Sequence, residues 1–314
     1  MWLGRLLLSV AVLAWLGHDV DTGQVAAVAR AADWRILVVA FGLKLASLLL
    51  HEVRTWLPLP RPRPPLVPVV ATCLGVGMLN LVLPGRAGDL GIIAALHRRF
   101  GVPPGTATAV VGVTGFIEAA VFGILLVAVL ATSLLGVPGV VDTAHRTRTL
   151  AALAGGAGLA AVSIGVAVRA GRWLADRPAP TGVVGILHRA LVDTAALLTN
   201  PREMAANISL ALVQTGLMVA AFAAGLPAVG FDDLPALATA GAVLAISSLA
   251  GLLLPPTWGL GPAAASRLVL TAAGHGPEDA LVYAGAYWLI AHLPVLAVGL
   301  PALWWRGGGG DAGT

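Results

Sequence analysis

The chain has 314 residues, of which 58% are hydrophobic and only 11% are charged. A soluble protein could not cover its surface with so few charged side chains, so the composition excludes a soluble globular protein. The net charge of +4 comes from dispersed basic residues without interleaved aromatics, which argues against nucleic-acid binding. The single cysteine, Cys73, excludes an intrachain disulfide and a CxxC motif for metal or redox chemistry. We therefore predict an all-α polytopic membrane protein.

Hydrophobic runs separated by polar breaks predict about eight transmembrane helices. In the first half of the chain the predicted spans are residues 2–17, 34–56, 66–83 and 104–134. The first of these runs is interpreted as an uncleaved helix rather than a signal peptide, and residues 18–33 as an acidic polar loop. Five prolines between Pro58 and Pro65 exclude a helix there and predict an extended connector.

The second half of the chain supplies four more predicted spans. They are the segment bounded by Arg148 and Arg169, and residues 204–225, 236–254 and 280–304. Between the first two, residues 183–200 have apolar side chains at helical spacing, with Arg189 and Asp193 off the apolar stripe. This pattern predicts an interfacial amphipathic helix. A Gly-rich tail at 307–314 is expected to be disordered, so the predicted transmembrane domain covers residues 1–306.

The stretch from Leu79 to Gly101 interrupts the hydrophobic pattern. An apolar run ends at residue 84, a polar turn occupies residues 85–89, and residues 89–99 are too short and too charged to cross a membrane. We predict a re-entrant or interfacial helix here. Such a break places charge and loose backbone at the end of a membrane helix, where a membrane protein would bind a polar group.

The segment that follows the seventh predicted span has the same order of features. A shift of 173 residues matches Gly88 with Gly261, Gly101 with Gly274 and Pro104 with Pro277. Broken hydrophobic segments at corresponding positions of two halves indicate a transporter-type site at the repeat interface. We predict a two-fold internal repeat with halves at roughly 1–135 and 148–306, each with one re-entrant or interfacial segment.

Ionisable side chains within the predicted spans form a second group of candidates, namely Lys44, Arg54 and Glu118. An unpaired charge there costs on the order of 3 kcal/mol by insertion scales. A structural Lys44–Glu118 pair would lower that cost, and a polar translocation path or a proton relay is the functional alternative. His51 and Glu52 lie near Arg54, but no second group with ligand spacing accompanies them, so we predict no metal site.

Arg86 is the main candidate for binding a lipid headgroup. It follows a helix-terminating proline, and a guanidinium binds phosphate bidentately while the N–H groups of a Gly-rich turn add to the site. The alternatives are an arginine that anchors a helix end at the interface, or a pair with Asp89. Asp89 itself is expected to N-cap residues 90–99. The other headgroup candidates are Asn80, Gly88, Arg98, Trp258, Gly259 and Gly261.

Two motifs resemble those of a known family. The run Asn80–Asp89 resembles the N-x-x-L-P-x-R-x-G-E element of the lysylphosphatidylglycerol synthase transmembrane-region family, also called flippase-like. The run Pro255–Gly261 is similar to the later P-x-x-x-G-G-x-G element of that family. The resemblance covers nearly the whole chain and identifies a divergent member. Asp89 replaces the glutamate of the first element, and Ala263 and Ala264 replace an acid after the second.

The resemblance implies a lipid-translocating protein. We expect no soluble aminoacyl-transferase domain after the last span, so a flippase-like protein of the plasma membrane is implied rather than a lipid-modifying enzyme. Its cargo would be a phospholipid or a lipid-linked anionic headgroup such as a polyprenyl phosphate, and we expect no cofactor. A non-catalytic membrane partner of a lipid or glycan synthase is the second hypothesis. An intramembrane lipid-modifying enzyme is the third, although no catalytic motif is found.

Overall fold

The computed structural model describes residues 14–16, 20–81, 87–136, 162–253 and 260–304. Within these ranges the regular structure is helical and includes no β-strand, which confirms the predicted all-α class. In chain order the helices are α1 Thr22–Ala31, α2 Trp34–Trp56, α3 Leu66–Gly77, α4 Ala87–Phe100, α5 Pro104–Gly136, α6 Gly182–Thr199, α7 Pro201–Ala228, α8 Ala236–Leu253, α9 Leu260–Ala272 and α10 Pro277–Trp304. A 3-10 turn, Met78–Leu81, continues α3, and residues 162–175 are also helical.

Five of the described helices are long and apolar enough to cross a membrane. They are α2, α6, α7, α10 and the Pro104–Ile124 part of α5. Helix α3 with its 3-10 turn and the Ala236–Ser247 part of α8 are shorter apolar segments. The membrane class predicted from composition is therefore confirmed, and the number of eight crossings stays a prediction.

Caps and prolines determine where several helices begin. The Asp33 carboxylate accepts a hydrogen bond from the backbone N–H of Arg35 at 2.8 Å and so satisfies an end of α2. Helices α5 and α10 begin at Pro104 and Pro277. Proline is well tolerated at a first helical position, because the N–H it lacks would have no partner within the helix.

The predicted acidic loop at residues 18–33 is wrong, because α1 occupies most of it. The side chain of Asp21 accepts hydrogen bonds from the backbone N–H groups of Gly23 and Gln24 and so caps this helix. The alanines that follow favour a helix as well. Helix α1 has ten residues and buries none of them.

Contacts divide the chain into two compact units, and each unit is discontinuous in sequence. The first unit comprises residues 1–48, 78–87 and 214–300. In this unit α8 packs against α9. Tyr283 of α10 is fully buried and donates a hydrogen bond to the Phe222 carbonyl at 3.1 Å, while the rings of Tyr287 and Phe222 stack with 4.1 Å between their centroids. Aromatic side chains therefore contribute to the contact between α7 and α10.

The second unit comprises residues 49–77, 88–213 and 301–314. Here α5 packs closely against α6. A Cβ atom at the buried Gly105 would lie 2.6 Å from the Ile186 carbonyl oxygen, so the missing side chain permits this approach. Across the same interface the Thr106 hydroxyl donates to Asp193 Oδ2 at 2.5 Å. Helices α3, α4 and α5 and their flanking residues contribute an apolar cluster of Leu59, Val69, Cys73, Ile92, Leu96, Val102, Ala107 and Val110.

Helix α6 matches the predicted amphipathic helix at 183–200 in its bounds. Its valines at 183 and 184 and its Leu187 are exposed, whereas Ala190 and Ala195 are buried. Its exposed surface thus carries apolar side chains beside Arg189, and the helix is long and apolar enough to cross a membrane. The interfacial placement of this helix stays a prediction.

Helices α4 and α9 share their local structure. They have 14 and 13 residues, and each is followed by a glycine in the left-handed region, Gly101 with φ of 68° and Gly274 with φ of 93°. The next long helix begins three residues later in both cases, at Pro104 and Pro277. The shift of 173 residues relates the starts of the two helices (87 and 260), the two glycines (101 and 274) and the two prolines (104 and 277). The internal repeat and its halves stay a prediction, and these matching bounds support it.

Candidate functional site

The predicted headgroup residues fall in several parts of the fold. Arg86, Trp258 and Gly259 lie outside the described residues. Asn80 is exposed in the 3-10 turn after α3, and Gly261 is buried in the first turn of α9. Both belong to the first compact unit. The headgroup site around Arg86 therefore stays a prediction.

Gly88 and Asp89 lie in the first turn of α4, which begins at Ala87. The prediction that Asp89 N-caps residues 90–99 is wrong, because a cap residue precedes the first helical residue and Asp89 follows it. Its carboxylate still lies where the positive end of the helix dipole stabilises a negative charge. Arg98 is exposed in the last turn of α4, where the opposite end of the dipole favours a cation.

The last turns of α2 contribute to a group of ionisable side chains in the second unit. We call His51, Glu52, Arg54 and Glu118 the polar cluster. His51 Nδ1 lies 3.1 Å from Glu118 Oε2, so an imidazole of α2 meets a carboxylate of α5. Sequence analysis singled out Arg54 and Glu118, but it did not pair Glu118 with His51.

Arg54 is completely buried and binds two other helices. Its Nε donates to Asn207 Oδ1 of α7 at 3.0 Å, and its Nη2 donates to the Thr114 carbonyl of α5 at 3.1 Å. A guanidinium can do this because its donors point in several fixed directions. One side chain of α2 thus cross-links α5 and α7. Sequence analysis missed Asn207, although an amide inside a predicted span is the same signal that selected Asn80.

Glu52 is the buried acid of the polar cluster, with 4% of its surface exposed. A Cβ atom at Gly77 of α3 would lie 3.9 Å from Glu52 Oε1, and the Cys73 thiol of the same helix contacts the carboxyl group. The other oxygen, Oε2, is buried and has no hydrogen-bond partner among the described residues. In the sequence Glu52 stood out only as a neighbour of Arg54 without metal-ligand spacing, and it was not among the predicted site residues.

Exposure differs sharply within the polar cluster. The side chains of His51 and Glu118 retain 28% and 31% of their exposed surface, whereas Glu52 and Arg54 are buried. The polar cluster therefore combines a partly exposed pair, His51 and Glu118, with a buried carboxyl group and a buried guanidinium.

Asp89 and Glu118 both lie close enough to Glu52 to interact with its charge. Within the described residues, no group of three potential ligands has the geometry of a metal site.

Lys44, the third predicted intramembrane charge, lies in the first unit. Its ammonium nitrogen is 6.0 Å from the centroid of the Phe222 ring, at the edge of the range of a cation–π interaction. The same ring stacks on Tyr287. The predicted pairing of Lys44 with Glu118 stays a prediction, and the pairing that the structure describes for Glu118 is with His51.

Comparison with known proteins identifies the family. A family model described as the lysylphosphatidylglycerol synthase TM region matches residues 2–299. No curated protein and no solved structure matches the chain. The family match agrees with the resemblance at Asn80–Asp89 and Pro255–Gly261, and it covers most of the described helices. Together with the apolar helices it shows an integral membrane protein of lipid metabolism or transport. The chain belongs to the lysylphosphatidylglycerol synthase transmembrane-region family.

Proposed function

We propose that this protein is a flippase-like translocator that moves a phospholipid or a lipid-linked anionic headgroup across the plasma membrane. The observation that carries the proposal is the polar cluster, which lies on α2 and α5, two helices that are apolar and long enough to span. Charged side chains within membrane helices are costly, on the order of 3 kcal/mol each by insertion scales. Proteins retain them where a polar group or an ion crosses the membrane.

The anion-binding part of this function is proposed for the break between α3 and α4. Arg86 would bind the phosphate, and Asp89 in the first turn of α4 would orient the guanidinium. The other residues that we propose for the headgroup site are Asn80, Gly88, Arg98, Trp258, Gly259 and Gly261. A phosphate suits the start of α4, because the positive end of the helix dipole favours an anion there.

The test is a reconstituted translocation assay. Purified protein is inserted into phosphatidylcholine vesicles that carry a trace of fluorescent phosphatidylglycerol, and a membrane-impermeant reductant bleaches the outer leaflet. We expect the wild type to bring inner-leaflet lipid outward, so that bleaching proceeds beyond the amount seen in protein-free vesicles.

Two variants make the assay specific for the proposed site. Arg86→Ala should slow translocation by roughly tenfold or more, as expected for losing a hydrogen bond between charged groups. The control Arg177→Ala removes an exposed arginine that stacks on Trp173, and should behave as the wild type. Equal translocation rates in Arg86→Ala and wild type would show that Arg86 does not bind the headgroup. A wild type that moves no lipid would contradict the function and favour a non-catalytic membrane partner of a synthase.

A further inference from the structure

We propose that Glu52 is a proton-binding site, reached from water through the His51–Glu118 pair, and that its protonation drives lipid translocation. The coupling to lipid rests on the proposed function, whereas proton binding at Glu52 does not. The inference concerns residues of the second compact unit only.

The Glu52 carboxyl group is enclosed by the protein. Only 4% of the residue is exposed, and Oε2 has no hydrogen-bond partner among the described residues. On α3, Gly77 offers no side chain to the carboxyl group, and the Cys73 thiol contacts it. A buried carboxylate needs partners for its oxygens, and one that lacks them is far more stable when it carries a proton.

Two other carboxyl groups lie within electrostatic reach of Glu52. Helix α4 contributes Asp89 and α5 contributes Glu118, while α2 contributes the His51 imidazole and α3 the Cys73 thiol. Arg54 of α2 acts on His51 and Glu118. The negative charges of Asp89 and Glu118 disfavour a further negative charge on Glu52, which is the most enclosed of the three acids.

The His51–Glu118 pair offers a proton a route to Glu52. His51 and Glu118 retain 28% and 31% of their side-chain exposure and lie 3.1 Å apart, so they are the more accessible neighbours of the enclosed Glu52, and an imidazole can both accept and donate a proton. A proton that binds at Nε2 of the neutral ring gives an imidazolium, whose Nδ1–H proton passes to Glu118 Oε2. Glu118 then transfers this proton to the Glu52 carboxylate and returns to the carboxylate form, so one proton enters and one is bound. The ring is left neutral with its proton on Nε2, and a tautomer change that moves the proton back to Nδ1 resets the relay.

Infrared spectroscopy of the purified protein tests proton binding without any transport. A protonated carboxyl group has a carbonyl stretching band distinct from that of a carboxylate. We expect the wild type to show such a band, Glu52→Gln to lose it, and the exposed-acid control Asp176→Asn to retain it. A spectrum without the band, or a band that persists in Glu52→Gln, would overturn the proton site. Glu118→Gln keeps Glu52 in place, and it should keep the band while slowing its exchange in heavy water.

Vesicles with a transmembrane pH gradient test the coupling. The probe is fluorescent phosphatidylglycerol in phosphatidylcholine vesicles, and one pH unit can support up to about a tenfold leaflet asymmetry if one proton moves per lipid. We expect this asymmetry in wild type and Asp176→Asn, and none in Glu52→Gln or under a sodium gradient at equal pH. If the wild type exchanges lipid between leaflets at the same rate and to the same extent with and without a pH gradient, the coupling is overturned and the proposed function stands. A wild type that exchanges no lipid would contradict the proposed function, and the infrared result would still decide the proton site.

Discussion

The Nδ1 atom of His51 lies 3.1 Å from Oε2 of Glu118, and this contact ties the end of α2 to the middle of α5. Arg54, one turn further along α2, binds the Thr114 carbonyl one turn earlier on α5. The two helices are therefore joined by a partly accessible pair and by a fully buried guanidinium. The first contact can change with protonation, and the second cannot, because arginine stays charged.

Glu118→Gln should impair lipid translocation more than it lowers the amount of protein in the membrane. The amide can still hydrogen-bond to His51, and losing a partly exposed ion pair costs only about 0.2–1 kcal/mol. Translocation rate and immunoblot abundance measure the two effects. The matched control is Glu203→Gln, which alters a similarly exposed acid paired with Arg63 at 3.7 Å. If abundance falls as steeply as the rate, Glu118 is a structural partner of His51.

Arg54→Lys should destabilise the protein although it keeps the positive charge. A lysine cannot direct separate donors to the Asn207 amide and the Thr114 carbonyl, and a buried acceptor left without its donor costs about 1–3 kcal/mol. The melting temperature in detergent should therefore drop. Arg177→Lys changes an exposed arginine and serves as the control. An unchanged melting temperature for Arg54→Lys would show that the two hydrogen bonds of Arg54, to Asn207 and to the Thr114 carbonyl, contribute little to stability.

Gly105→Ala should separate α5 from α6. The new Cβ atom would lie 2.6 Å from the Ile186 carbonyl oxygen and 3.0 Å from the Ala190 backbone nitrogen, and neither backbone atom can rotate away. Overpacking of this kind costs about 1–3 kcal/mol. Gly112→Ala is the matched control, because a Cβ at that position of α5 meets nothing within 4 Å. The thermal unfolding temperature should fall for Gly105→Ala and not for Gly112→Ala. Equal unfolding temperatures for the two variants would contradict the close packing of α5 against α6.

Thr106→Val should weaken the same helix pair for a different reason. Its hydroxyl donates to Asp193 Oδ2 across the interface, and a hydrogen bond to a charged group contributes about 1.5–3 kcal/mol. Thr108→Val is the comparison, because that hydroxyl donates to the Pro104 carbonyl within its own helix. We expect Thr106→Val to melt at the lower temperature. The reverse order would indicate that the bond to Asp193 is not formed in the membrane.

The sequence by itself determined the class of the protein, its family and most helix positions. The spans predicted at 104–134 and 236–254 are found as α5, Pro104–Gly136, and α8, Ala236–Leu253. These boundaries are local properties, because an apolar run has to form a helix in lipid and prolines, glycines and polar residues end it. Helix α1 escaped prediction because it has only ten residues, none of them buried, and its segment was interpreted as an acidic polar loop.

Only the tertiary structure decided which partners the charged side chains of those helices have and which of them are buried. The partners of Arg54 lie 153 and 60 residues away in the chain, and no spacing rule connects them. Nor does the sequence distinguish Glu52, which is buried, from its neighbour His51, which remains partly accessible. Side chains at successive positions of one helix face different neighbours, and those neighbours exist only once the helices have packed. The physical difference between an exposed charge and a buried one therefore arises from packing.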